Sequence, residues 1–124
     1  YVEFVPDDTI FKNYHFVQEY LDNQFWNYCY LNAGLVMNLN GKRYISKNGL
    51  LDLLQRKTNE DEIRYPIIHL KGDDIEVAIT HESAYGEEYY SFVNGQFTTQ
   101  GGTHLAAFRE AFIKTIRDFY KKLL

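Results

Sequence analysis

At 124 residues with a formal net charge of -4, the chain is one compact domain or a piece of a larger protein, long enough to bury about two thirds of its unfolded surface. The acidic balance excludes a domain that grips phosphates over its whole surface, and 45% hydrophobic with 24% charged residues excludes disorder. A single Cys29 excludes an internal disulfide and fits a reducing cytoplasm, no apolar run nears the ~20 residues of a membrane span, and Tyr1 in place of an initiator Met suggests excision from a longer chain.

"YVEFVP" alternates and then meets Pro6, predicting a short strand running into a turn, with Asp7 and Asp8 as candidate caps. From Asn13 to Leu31 the positions Tyr14, Val17, Leu21, Phe25, Tyr28 and Leu31 recur at helical spacing, and Gly34 stands where the helix should end. Such an aromatic helix belongs to a core or an interface. Eleven Tyr and nine Phe make the whole chain aromatic, and tyrosine hydroxyls need partners, so many should lie at the core edge. "LVMNLNGKRYISK" places Asn40-Gly41 between two apolar runs, the dipeptide that supplies positive φ twice in a type I′ turn, and predicts a β-hairpin. Asn48 is a candidate cap for a short helix over "GLLDLLQRK", and "KTNEDE" reads as a solvated loop.

Strand signals resume at "YPIIHL" and "DDIEVAITH", joined by a turn at Gly72-Asp73-Asp74. "EEYYSFV" is expected to add a third strand, giving an antiparallel meander with one wet face. A final helix is predicted from Thr103 to Leu124. The class is α+β, with an antiparallel or mixed sheet and packed helices.

The residues that carry chemistry are few. His15, His69, His81 and His104 lack zinc-ligand spacing, and the nucleophile-elbow and P-loop patterns are missing. Asp73-Asp74 and Glu87-Glu88 read as solvated surface. Gly101-Gly102 before the last helix resembles an anion-binding layout, although a glycine turn with Thr103 as cap accounts for the same residues. On that helix, at ~100° per residue, Leu105, Phe108, Phe112, Ile116, Phe119 and Leu123 form one apolar stripe. Arg109 falls on its flank, while Lys114, Arg117 and Lys121 take the opposite face. Arg109 either snorkels or pairs with a carboxylate, or its head reaches a groove where a polyanion passes.

"YYSFVNGQFTTQGGTHLAAFREAF" resembles the transducer region of the type IIA DNA topoisomerase B subunits, those of gyrase and topoisomerase IV, with their "cFvNnI.T..GGTH..gF..al" pattern. "VEFVPDDTIF" is similar to the family's F-x-P-D-x-x-I-F segment and "YCYLNAGLVMNLNGK" to "aFLNsGv.i.l.d". "SKNGLLDLL" matches "eGGi..fv..l" loosely, with Asn48 in place of one glycine. "YSFVNGQ.TTQGGTH" has more of the look of topoisomerase IV, though the two B subunits are closely alike here.

The resemblance implies that residues 1–47 end an ATPase domain, as its last strand, helix and hairpin, and that residues 48–124 begin a transducer with a left-handed βαβ crossover, against the usual right-handed rule. It implies a coupling role between ATP hydrolysis and DNA strand passage, in a cytoplasmic enzyme that binds ATP and Mg, dimerises through its B subunit, joins an A subunit and acts on DNA. The E-x-x-D-N and D-x-G-x-G motifs and the Gln-Thr-Lys loop of the family have no match here, so this stretch is expected to hold no cofactor, no metal, no catalytic residue and no nucleotide or cleavage site of its own. Carried over by resemblance, Gly101, Gly102, Thr103 and His104 form a structural junction, and Arg109 takes the basic position that faces the DNA cavity. A non-enzymatic interaction domain, docking through the aromatic helix, is the alternative from another class.

Overall fold

In the computed structural model, which describes residues 1–124, Asn40 and Gly41 both hold positive φ, 49° and 81°, and close a two-residue turn. That turn joins β1 (Val36–Leu39) to β2 (Lys42–Ile45), with Leu39 opposite Lys42 and Val36 opposite Ile45. The register carries Tyr44 to the side covered by α1 (Gln18–Leu31), where it is fully buried. Phe25 and Trp26 meet its ring at centroid distances of 5.4 and 5.2 Å, the second edge-on. The Tyr44 hydroxyl donates to Asp22 on α1, which also pairs with Lys42 Nζ at 3.1 Å. A buried phenol thus keeps a partner at the core edge, as its hydroxyl requires.

Helix α2 (Leu50–Lys57) completes this core with Leu53, and its Arg56 lies over the Trp26 ring at 4.7 Å and donates to the Tyr30 hydroxyl at 3.3 Å. β3 (Ile68–Lys71) and β4 (Glu76–Ile79) form a second hairpin, whose turn is closed by the Gly72 N–H on the Ile75 carbonyl at 2.8 Å. The chain divides into two compact units, Tyr1–Ser83 and Ala84–Leu124, and everything so far belongs to the first. In the second, β5 (Phe92–Val93) and β6 (Gln96–Phe97) flank another Asn-Gly turn, with Asn94 and Gly95 at φ 48° and 80°. Then comes α3 (Thr103–Leu123).

Three helices with small antiparallel hairpins bear out the α+β class, and every strand pair joins neighbours in sequence. Several expectations need correction. Residues 1–6 form no strand; Val2, Phe4 and Val5 are exposed, because alternation makes a strand only where another backbone answers its N–H and C=O groups. α1 starts at Gln18 rather than Asn13, since Asn13 sits in the left-handed region at φ 54° and Val17 is extended. "EEYYSFV" adds no third strand to the β3–β4 hairpin. Its last residues pair instead with β6, because the two-residue turn offers a partner at far smaller loop-closure cost.

Asn48 does not cap α2. Gly49 takes that place at φ 64°, and a Cβ there would sit 3.0 Å from the Tyr30 carbonyl oxygen. Asp52, three residues inside the helix, reaches back to accept from the Asn48 backbone N–H at 2.9 Å, its side-chain amide at 3.1 Å and the Ser46 hydroxyl at 2.7 Å. Asp52 thus ties down the residue before the cap, while the Gly49 N–H donates to the Ser46 hydroxyl at 3.0 Å. Burial raises the Asp52 pKa, but the donors together outweigh it and hold the carboxyl below its ordinary value.

Candidate functional site

The residues singled out by sequence gather on the first turns of α3 and the segment leading to them. Gly101 and Gly102 hold φ 75° and 129° and make the sharp turn expected of them. Thr103 is the first helical residue and not its cap; Gly102 precedes the helix, and no side chain bonds its first amides. A Cβ on Gly102 would lie 3.0 Å from His104 Nδ1, so the imidazole fills the space that only a glycine leaves open. The same ring turns its Nε2 to the Ser91 hydroxyl at 3.2 Å.

Ser91 and Thr98 flank the β5–β6 hairpin, and their side chains hydrogen-bond each other. Thr98 also donates from its backbone N–H and its hydroxyl to the Ser91 carbonyl, at 2.8 and 3.0 Å. Its own carbonyl accepts from the Gly101 N–H at 3.1 Å. The two-strand hairpin, the glycine turn and the start of α3 are therefore tied by one chain of hydrogen bonds, through Ser91, Thr98 and His104. The "GGTH" run thus joins hairpin to helix, with its imidazole hydrogen-bonded across the joint.

Arg109 stands about one and a half turns beyond His104 on α3. Its Nη2 donates to Glu87 Oε2 at 3.0 Å, and its guanidinium lies 4.9 Å from the centre of the Tyr89 ring. The Tyr89 hydroxyl donates to the same carboxylate oxygen at 2.7 Å. That bond, and then desolvation, raise the Tyr89 phenol above its ordinary pKa. Arg109 thus takes the carboxylate pairing weighed for it, and it does so in solvent, with its side chain 48% exposed and that of Glu87 65% exposed. Glu87, expected as solvated surface, is exposed and is also the anchor of the guanidinium. The sequence held one clue: in "EEYY" the i, i+2 spacing of an extended chain puts Glu87 and Tyr89 on one side, and Glu88 with Tyr90 on the other. The Tyr90 hydroxyl indeed donates to Glu88.

No group of three or more His, Cys, Asp or Glu side chains is placed to hold a metal ion. No helix is long and apolar enough to cross a membrane.

The same stretch of chain recurs within known proteins. The B subunit of DNA topoisomerase 4 from Borreliella burgdorferi is 45% identical over 122 residues, covering 98% of this chain and 20% of that protein. The B subunit of DNA gyrase from Cytophaga hutchinsonii is 30% identical over 139 residues, covering 98% of this chain and 29% of that one. The chain therefore spans between about a fifth and three tenths of the length of these relatives. Among solved structures, the 43K ATPase domain of Thermus thermophilus gyrase B, crystallised with an aminocoumarin, superposes with a TM-score of 0.68 at 26% identity, covering 95% of this chain and 35% of that one. The family described as DNA gyrase B matches residues 35–123, from the first hairpin through the glycine turn to the end of α3, and the chain belongs to that family, the B subunits of the type IIA topoisomerases.

Proposed function

We propose that these residues form a coupling segment of a bacterial type II topoisomerase B subunit, relaying ATP-driven events to the capture and passage of DNA. The observation that carries this reading is the family match over residues 35–123, which takes in both the glycine joint and Arg109. In this reading, residues 1–47 close an ATPase domain and residues 48–124 open the transducer, whose left-handed βαβ crossover is completed with strands not paired here. ATP and Mg, the A subunit, a second B subunit and DNA are partners of the full-length enzyme. The chain itself supplies packing and leverage rather than bond-making groups, and turnover of ATP by the isolated chain would contradict that. Identity of 45% to one topoisomerase 4 relative favours the topoisomerase IV side, while a second topoisomerase 4 relative, from Streptococcus pneumoniae, stands at 28%, level with the gyrases.

Mechanically, the reading needs a joint that transmits torque without bending. In this reading the Ser91–His104 bond and the Gly102 turn serve as that joint, orienting α3 as it leaves the β5–β6 hairpin. It also needs a cation that senses DNA, and Arg109 is the candidate. Its guanidinium is solvent-exposed on the flank of α3, where a phosphate can approach.

The test is Arg109→Gln in the full-length protein. DNA-stimulated ATP turnover and strand passage should fall while the DNA-free rate holds. The slope of log affinity for duplex DNA against log salt should shrink by about 0.9, the share of one lost phosphate contact. Unchanged DNA stimulation removes Arg109 from the mechanism.

A further inference from the structure

Arg109 does not wait for DNA with an empty hand. Glu87, Tyr89 and Arg109 form a closed ring of three interactions: guanidinium on carboxylate at 3.0 Å, phenol on the same carboxylate oxygen at 2.7 Å, and guanidinium over the phenol ring at 4.9 Å. Resting on the reading that Arg109 meets DNA, we propose that Glu87 is a competing anion that parks Arg109 against Tyr89 and that an incoming phosphate must displace it. Glu87 is thus a positioning residue that sets how much polyanion is needed before α3 responds.

The energetics make such a device workable. An exposed ion pair contributes about 0–1 kcal/mol, so Glu87 holds the guanidinium without locking it. Arginine carries five N–H donors in a planar fork, and one of them serves Glu87 with good geometry, so a phosphate oxygen can be engaged before the carboxylate is released. Contact with the Tyr89 ring keeps the guanidinium near its place during the exchange, and the phenol retains the Glu87 oxygen after it. The same carboxylate repels an approaching phosphate directly. Its effect on binding therefore has two parts, and only one of them passes through Arg109.

The parts separate in a double-mutant cycle on the full-length protein, with Glu87→Gln, Arg109→Gln and the double variant, read by binding to a duplex DNA at several salt concentrations and by DNA-stimulated ATP turnover. Glu87→Gln keeps the size of the side chain and leaves α3 free to fold. With Arg109 present it should tighten DNA binding about three-fold and lower the DNA concentration giving half-maximal stimulation. With Arg109→Gln only the smaller part of the gain, from the lost direct repulsion, should remain. If Glu87→Gln tightens binding equally in both backgrounds, Glu87 acts only as bulk charge and the proposal is overturned. If it changes nothing while Arg109→Gln weakens binding, the parked-arginine idea fails and the DNA role of Arg109 stands. If Arg109→Gln changes neither affinity, salt slope nor stimulation, the underlying reading fails, and the proposal fails with it.

Discussion

All four buried apolar side chains, Cys29, Tyr30, Tyr44 and Leu53, belong to Tyr1–Ser83, and Ala84–Leu124 has none. The first unit is organised around an aromatic pile in which Trp26 stacks on Tyr30, meets Tyr44 edge-on and lies beneath Arg56. The second is organised by turns, short hydrogen-bonded ties and exposed charges, with α3 spanning about 31 Å at 1.5 Å per residue and carrying Phe112, Ile116, Phe119 and Leu123 uncovered. An isolated helix draws little stability from propensity and depends on packing its apolar face. The contrast teaches that one unit supplies its own core, whereas the other has its direction and joints set locally and its apolar stripe still to be covered.

The sharpest way to break this comparison is to strike the first core. Tyr44→Ala removes a fully buried ring and its bond to Asp22, and should cost about 3–5 kcal/mol, read as a lower denaturation midpoint of Tyr1–Ser83; a loss under 1 kcal/mol would show that the pile is not its centre. Next comes Gly49→Ala. Positive φ and a Cβ 3.0 Å from the Tyr30 carbonyl should together cost about 1–3 kcal/mol in the same measurement.

The two Asn-Gly turns offer a matched pair. Gly41→Ala and Gly95→Ala each place a side chain in the left-handed region at about 1–2 kcal/mol. The first should lower the cooperative unfolding of Tyr1–Ser83, and the second should speed only amide exchange around β5 and β6. Acid should likewise act on one side. Asp52 is held below its ordinary value, so its contribution is complete above the unfolded carboxylate pKa of about 3.9 and is lost as pH falls through the lower folded value. Loosening of the hairpin–α2 junction should therefore appear below about pH 4, and Asp52→Asn should remove that share, leaving the one from Asp22, whose carboxyl the Tyr44 and Lys42 bonds also hold down. The smallest effect is expected at Phe119→Ser, within about 0.5 kcal/mol for this chain because the ring is 59% exposed, yet with a clear loss of stability in the full-length protein.

Much of this contrast was legible in the sequence where local chemistry decides. Asn40-Gly41, the Gly72 turn and the run from Thr103 each specify their conformation within a few residues, and the structure follows them. Asn94-Gly95 carried the same turn signal, and reading it as such would have prevented the expected meander. What escaped sequence reasoning needed a distant partner: residues 1–6 meet no strand to pair with, and Glu87 meets Arg109 from 22 positions away. The flank position of Arg109 was visible from helical spacing alone, but which anion held it was not.

Trp26 is the only tryptophan in the chain, and its indole Nε1 is buried without a hydrogen-bond partner in the aromatic pile. Emission from that indole is consequently a built-in optical probe of the Tyr1–Ser83 unit. It should shift when the pile around Tyr44 opens and stay silent when events are confined to the glycine joint or the Arg109 ring, so domain-resolved spectroscopy needs no added label.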